Sequence, residues 1–590
     1  MSTSRLKPFS APNVVANRPD KPVASRRLHY SAAPISVYAL IMFLGSFAIT
    51  GYRVFLEHHT FQIALVQLLK NPSLYPNDPY AVALSHYGSL LWPVVAWAAK
   101  LVPLEPLLFC LFFAERFFTL YGAGRLARAF APNSILAPVA AMAAFAVGIK
   151  PLMGGGAIVP PYFEQTGFAI ALVLLAAAAF YESRPILWAV CLAIGFNMQS
   201  MYGIFALTFF AAAFAIGKIQ DRDWKKWAVA FILFLALASP AIISGLRVMG
   251  NGDGNDALWL TASHAKSIKH LYPEAWGAEP FVRSAIILGA LIGLLCWRGT
   301  RNLLKHAVVW SAIACAWLGY AFLAAYVFKS PPMLMFQPAR ATDLWLCFAV
   351  VAIISTLAIT VERRVAEGSN WRIPVLLLCS AILIWRPWDG LLWYALAFVL
   401  AAFLLERFSF VVFANGDPAR LTLLIIAGVI AIAVDLFRLD MLAGYSVEDA
   451  FLSRPPAAVE TVSAWAEKNT PLNAVFLVHP TAAEWEIFRA LSQRSIFTSW
   501  GEGSAINWDR SFVSKWAERL DAVGVNLAEH DKYYSLKDAL NKAYGNLRDE
   551  DVMKLKTRFN VSYWIVPEER SSEFPIAFAT PEYKVLKIEK

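Results

Sequence analysis

Charge is scarce in this chain. Asp, Glu, Lys and Arg make up 16% of its 590 residues, where a soluble globular domain carries about 25%. Cysteine is scarcer still, at six. Low charge excludes a disordered chain, which needs high charge and low hydrophobicity. Six cysteines in so long a chain exclude a small disulfide scaffold. Cys110, Cys191, Cys296, Cys315, Cys347 and Cys379 all fall in apolar stretches, with no Cys-x-x-Cys or His/Cys ligand spacing. They read as small buried apolar residues, and no zinc site is expected. Internal repeats and low-complexity tracts are also missing. A cleavable signal peptide is not expected, because 33 polar, Pro- and Arg-containing residues precede a first apolar run long enough to be an anchor.

Apolar surface is abundant. Hydrophobic residues make up 58% of the chain and mean hydropathy is +0.51, which points to a polytopic membrane protein. The net charge of +10 is unevenly spread. Residues 438–590 hold 19 basic and 22 acidic residues, a net −3, so the first 437 carry +13. The excess positive charge thus belongs to the hydrophobic part. With no soluble basic patch to neutralise phosphates, a nucleic-acid partner is excluded.

A spanning helix needs about 20 mostly apolar residues, and the runs that qualify or nearly qualify number about 13. They lie at 35–55, 104–124, 134–150, 164–182, 185–199, 200–217, 226–244, 281–297, 307–328, 341–361, 373–385, 389–405 and 420–437. The positive-inside rule orients them. With the basic tail 1–34 in the cytoplasm, the later inner turns hold Arg125 and Arg128, Arg184, Lys218 to Lys226, Arg298 to Lys305, Arg363 to Arg372, and Arg407. Every one is basic. An odd number of spans then carries 438–590 outside. Segment 86–103 would reverse these loops if it crossed, so it reads as an interfacial or re-entrant helix.

The expected fold is therefore a polytopic α-helical membrane protein of about 13 spans with a C-terminal extracytoplasmic α/β domain. Its divisions are a cytoplasmic tail 1–34, a membrane domain 35–437 with a first outer loop 56–103, and the outer domain 438–590. In the last, AVFLVHP (474–480), RSIFTSW (494–500), VSYWIVP (561–567) and YKVLKIE (583–589) read as strands. EWEIFRALSQ, WDRSFVSKWAERL and SLKDALNKAY between them have helical spacing. GEGS (501–504) lacks the Lys-Ser/Thr partner of a phosphate loop. Trp500, Trp508 and Trp516 suit sugar stacking, packing of the domain or a place at the membrane surface. His479 and His530 are isolated and read as ordinary histidines.

Candidate site residues lie in the outer loops. Glu57, His58 and His59 follow the first span directly. TFQIALVQLLK then reads as an amphipathic interfacial helix. NPSLYPNDPY holds Asp78 and Tyr80 in a Pro-rich turn. A fixed carboxylate at the outer surface suits a general base, and Asn-Asp-Pro suits a plain turn equally. Glu164 and Gln165 follow the flexible GGGAIVPPYF. FKSPPMLMFQPARATD carries Lys329, Arg340 and Asp343, and basic residues at outer membrane ends suit an anionic ligand such as a lipid phosphate. Arg340 could as well snorkel or pair with Asp343. Glu115 and Arg116 stand out as ionisable residues at membrane depth.

The order of parts resembles the GT-C superfamily of polyprenyl-phosphate-sugar-dependent membrane glycosyltransferases. QIALVQLLKNPSLYPNDPY, FQPAR and FRALSQRSIFTSW…FNVSYWIVP are similar to a bacterial branch of that superfamily. The resemblance implies transfer of a sugar from a polyprenyl-phosphate donor to a lipid or glycan acceptor on the outer face of the inner membrane. It implies a catalytic acid in the first outer loop, matched here by Asp78 or Glu57. It also implies a basic residue at the donor phosphate, matched by Arg340 or Lys329. His58, His59, Glu164, Gln165 and Tyr80, from the same outer loops, are read as further substrate contacts. The first loop has no plain Asp-x-Asp or Glu-x-Asp, which leaves dependence on a divalent metal undecided. The outer domain lacks the WWDYG motif of oligosaccharyltransferases, which argues against peptide N-glycosylation. Two rival functions fit the same composition: a flippase or transporter of a lipid-linked or anionic envelope precursor, and a non-catalytic envelope-assembly scaffold.

Overall fold

The computed structural model describes residues 34–55, 58–76, 78–156, 158–216, 223–250, 255–298, 301–367, 452–530 and 533–589. The three expected spans beyond residue 372, Cys379, Glu57 and the 437/438 boundary lie outside the described residues.

The remaining ten apolar runs each contain a helix. They are α1 (Ile35–Thr50), α5 (Leu104–Phe130), α6 (Leu136–Ala146), α7 (Gln165–Tyr181), α8 (Pro185–Met198), α9 (Ser200–Ile216), α10 (Trp224–Gly250), α12 (Glu279–Arg298), α13 (Arg301–Phe322) and α15 (Ala341–Ala366). Among the described residues, five stretches are long and apolar enough to cross a membrane: 104–130, 224–246, 279–296, 303–327 and 331–366. The helices of the other runs are shorter. Between α1 and α5, the 56–103 loop folds into α2 (His59–Lys70), α3 (Pro79–Ser85) and α4 (Leu91–Ala98). α4 has eight residues and so spans about 12 Å, far less than a bilayer core.

Burial sorts the bundle. Every residue of α7 from Gln165 to Phe180 is buried, as is nearly all of α15. These two helices form the centre, packed by α5, α6 and α8. α10, α12 and α13 instead turn apolar side chains such as Ile232, Leu246, Ile286 and Val308 outward. So much outward apolar surface on long helices suits contact with lipid. Two further helices stand on one side of the bundle, α11 (Asp256–Leu271) and the short α14 (Pro331–Met335).

The C-terminal α/β unit begins with α16 (Ala457–Asn469). Then come β3 (Val475–Leu477), α17 (Ala483–Glu486), α18 (Phe488–Ser492), β4 (Ser495–Ile496) and a 3₁₀ turn, Gly501–Asn507. α19 (Phe512–Ala522), α20 (Tyr533–Asn546), α21 (Asp549–Phe559), β5 (Val561–Pro567), β6 (Ile576–Ala579) and β7 (Tyr583–Lys587) complete it. The sheet order is β4-β3-β5-β7-β6, parallel across β4, β3 and β5 and antiparallel beyond. All four expected strands are present, each shortened or intact. β6 is not legible in the sequence, being largely exposed and without alternation. A two-residue parallel bridge, β1 (Tyr52–Arg53) with β2 (Leu452–Ser453), ties the end of α1 to the start of this unit.

The unit is docked on the 56–103 loop and on α11. Gln67 Nε2 donates to Ala490 O at 2.6 Å, and Trp508 Nε1 donates to Ala83 O at 3.0 Å. Trp259 Nε1 of α11 donates to Ile506 O at 2.9 Å. Buried indole and amide groups need such partners, so these bonds fix the docking orientation as well as its strength.

Candidate active site

Where the two parts meet they line a partly open cavity of about 940 Å³. The start of α2, the loop before α7, α11 and the segment 332–340 supply its membrane-side wall, and the 3₁₀ turn with its neighbours supplies the other. Its lining mixes carboxylates, basic groups and amides with aromatic faces such as Phe61, Tyr87, Trp500 and Trp508.

Glu164 is a carboxylate of the membrane-side wall. It stands immediately before α7, and its side chain is 4% exposed. His58 Nδ1 lies 3.1 Å from its Oε1. Its backbone N–H donates to Glu115 Oε2 at 3.0 Å. Glu115 and Arg116, conspicuous in the sequence, thus hold the loop: Arg116 donates to Pro160 O, to Ser46 Oγ and, at 3.3 Å, to Thr50 Oγ1. Burial pushes the Glu164 carboxyl up, but His58, Arg340 and a Thr166 hydrogen bond outweigh it and hold the group below the ordinary carboxylate range. Gln165 also lines the cavity, fixed by Trp92 Nε1 at 2.6 Å and by its own bond to the Tyr87 hydroxyl.

Arg340 approaches from the other side of the same wall. It is 8% exposed, Nη1 donates to Gln337 Oε1 at 2.9 Å, and Nε has no partner among the described residues. The guanidinium lies 5.8 Å over the Tyr202 ring, and Tyr202 donates to Asp343 Oδ2 at 2.7 Å. The glycines of GGGAIVPPYF explain themselves here. A Cβ on Gly156 would collide with the Arg340 guanidinium, and one on Gly155 with the Asp343 carboxylate. The chain can pass this close only without side chains. His270 Nδ1 donates to Gly154 O at 3.0 Å, and burial together with Arg340 pushes the imidazole down to about 4, so it is neutral.

Lys266 of α11 reaches toward the α/β unit, its ammonium 4.3 Å from the centre of the Trp500 ring. Burial pushes it down to about 8, against the pull of Glu486. Trp516, the third indole considered for stacking, is wholly buried and packs the domain core.

Several expected site residues stand elsewhere. Asp78 is not in the cavity wall: its carboxylate has no exposed surface. It caps α3, accepting from Tyr80 N at 3.0 Å, and pairs with Arg489 Nε at 3.1 Å and Arg519 Nη1 at 3.8 Å. The Asn-Asp-Pro turn chemistry and a buried ionic contact explain its place. Tyr80 does line the cavity, its ring 4.6 Å beneath the Arg489 guanidinium. His59 is buried behind the wall; its Nδ1 accepts from Phe55 N at 3.1 Å, and burial pushes it down to about 4. Lys329 is exposed beside the outward-facing Phe328 and Val327, away from the cavity. Glu57 lies outside the described residues.

The residues that sequence reasoning passed over are Arg489, Glu502 and Gln62. Arg489 joins Asp78 to Glu502, all three buried. Its only sequence signal is position: a basic residue on an otherwise apolar helical stretch, FRALS, between two strands. Among the described residues no three His, Cys, Asp or Glu side chains gather as a metal site.

Fold and site together define a helical membrane body that shares a polar cavity with an α/β unit. Residues 457–523 match the family model described as "Domain of unknown function (DUF6798)", a stretch that includes Arg489, Trp500, Glu502, Trp508 and Arg519. No curated protein matches the chain. Among solved structures it is similar to the oligosaccharyltransferase AglB of Archaeoglobus fulgidus in complex with an inhibitory peptide and a dolichol-phosphate, at 12% identity and a TM-score of 0.40. That match covers 90% of this chain and 69% of the other. The oligosaccharyltransferase of the same organism tethered to an acceptor peptide with the NVT sequon gives 12% identity, a TM-score of 0.38 and the same coverage. Likeness of this degree transfers no residue role.

Proposed function

We propose that the protein is an integral membrane glycosyltransferase that moves a sugar from a polyprenyl-phosphate donor to a hydroxyl acceptor, a lipid or glycan, on the outer face of the inner membrane. The observation that carries the reading is the meeting of Glu164, His58 and Arg340 in one aromatic-walled cavity between the membrane body and the α/β unit. A carboxylate held ionised beside a guanidinium with an uncommitted Nε suits an acceptor hydroxyl on one side and a departing phosphate on the other.

In this reading the acceptor oxygen attacks the anomeric carbon and its proton passes to Glu164. The bond from that carbon to the donor phosphate oxygen breaks. The electron pair leaves with the lipid phosphate, which Arg340 stabilises. His58 orients Glu164, and Asp78 has a structural role. Purified protein supplied with radiolabelled polyprenyl-phosphate sugars and envelope lipid extracts is expected to form a labelled glycoside. Movement of the donor lipid with no new glycosidic bond would favour a flippase instead.

A pH profile tests the Glu164 role separately. An essential base requires the ionised form, so the rate should rise with pH through the Glu164 pKa, below about 4.3, the ordinary value for a glutamic acid. In His58→Ala the Coulomb pull of His58 is gone, so that acid limb should move to higher pH. An unmoved limb would show that Glu164 is not the titrating base.

A further inference from the structure

Gln62 has a side chain that packing does not explain. It is 1% exposed and lines the cavity, yet neither Oε1 nor Nε2 has a hydrogen-bond partner among the described residues. An unpaired buried amide is destabilising, because both groups give up hydrogen bonds to water and gain none in the protein. Such a cost is tolerated where a ligand supplies the missing partners, as strained and unsatisfied groups concentrate at binding sites.

Its neighbours indicate the ligand's chemistry. Gln62 follows His58 by four residues, and its backbone N–H donates to His58 O at 3.2 Å. Residues four apart share a helix face, so the amide stands one turn from the His58–Glu164 pair. Next to it in sequence, Phe61 begins an aromatic wall, 5.5 Å from Tyr87 and 5.6 Å from Trp508, with Tyr87 and Trp508 at 5.0 Å. These rings stand tilted to one another, at 30° to 86°, and aromatic faces beside a planar amide suit a ring with hydroxyls at its edge. The amide offers one acceptor and one donor face side by side. The complementary group is a pair of adjacent hydroxyls, one donating to Oε1 and the other accepting from Nε2.

We infer that Gln62 is a specificity-determining residue that binds a vicinal diol of the sugar held beside Glu164. The inference rests on the reading of this cavity as a sugar site. It commits to a ligand with two neighbouring free hydroxyls, and it excludes a sugar substituted or deoxygenated at either of them.

The test uses the full chain in detergent. Gln62→Met keeps length and flexibility but removes both polar atoms. Without ligand it is expected to unfold about 1–3 °C higher than the wild type, as relief of an unpaired amide should stabilise. A merely structural amide would give the opposite sign. Methyl glucoside, galactoside and mannoside, each with its monodeoxy analogues, are then compared by saturation-transfer NMR. The wild type should bind at least one parent 10-fold or more tightly than the analogue lacking one of two adjacent hydroxyls, and Gln62→Met should lose that preference. A lower unfolding temperature for Gln62→Met, or no preference for any diol in the wild type, overturns the inference. Labelled transfer by a wild type that shows no diol preference would overturn this inference alone; diol preference without transfer would overturn the proposed activity alone.

Discussion

Glu164→Gln is expected to lower sugar transfer by about 10²–10⁴-fold, the usual contribution of a positioned general base. The amide retains the shape of the carboxylate and its place before α7, so folding and donor binding should survive. What is lost is the charge that would receive the acceptor's proton. Three independent contacts hold that charge in position: the His58 ring at 3.1 Å, the Glu115 carboxylate on the Glu164 backbone at 3.0 Å, and a Thr166 hydrogen bond. Initial rates with a labelled donor measure the effect, and unfolding temperature in detergent checks the fold. Full activity in Glu164→Gln would remove this residue from the mechanism. Asp78→Asn supplies the contrast, since it should lower stability and leave the folded fraction active.

The second large effect is on stability. Arg489→Met should destabilise the protein by about 3–5 kcal/mol, because it removes the guanidinium in contact with two buried carboxylates and leaves them only the more distant Arg519. Asp78 and Glu502 contact Arg489 from opposite parts of the chain, the 56–103 loop and the 3₁₀ turn of the α/β unit, and neither carboxylate is more than 1% exposed. The guanidinium therefore clamps the α/β unit to the membrane body. The triple variant Asp78→Asn, Arg489→Met, Glu502→Gln should recover most of the loss, since all three buried charges leave together. If Arg489→Met melts at the wild-type temperature, the clamp contributes nothing.

The same cluster predicts a pH dependence. Burial pushes Glu502 up to about 7, against the pull of Arg489. A carboxyl group with a raised folded pKa holds a proton that the unfolded chain releases. Its contribution is complete below the unfolded value of about 4.3 and is lost as pH rises through 7. Glu502→Gln should flatten the fall in unfolding temperature between those limits.

Much of the architecture is legible because it repeats along the chain. The apolar runs locate every described helix of the bundle core, since a helix facing apolar surroundings on all sides must be apolar on all sides. VSYWIVP reads as β5 because a strand buried on both faces is a continuous hydrophobic run. The positive-inside rule argues against a crossing at 86–103, and the eight residues of α4 are too few for one.

Residue order alone is enough to establish the helical body, the α/β unit and the loops that carry polar residues. It also brings Glu164, His58, Gln165, Tyr80 and Arg340 forward as candidates, and these line one cavity. Which carboxylate faces that cavity is settled by packing between distant segments. Asp78 and Glu164 are both acidic residues in Pro-rich loops, and nothing local separates them. Their difference lies in partners more than 100 residues away or on other elements: Arg489 closes over Asp78, while Glu164 meets His58 in the cavity wall. A side chain's charge is a property of its residue type. Whether that charge is neutralised in a core or presented to a substrate depends on which distant segment packs against it, and short-range pattern carries no record of that.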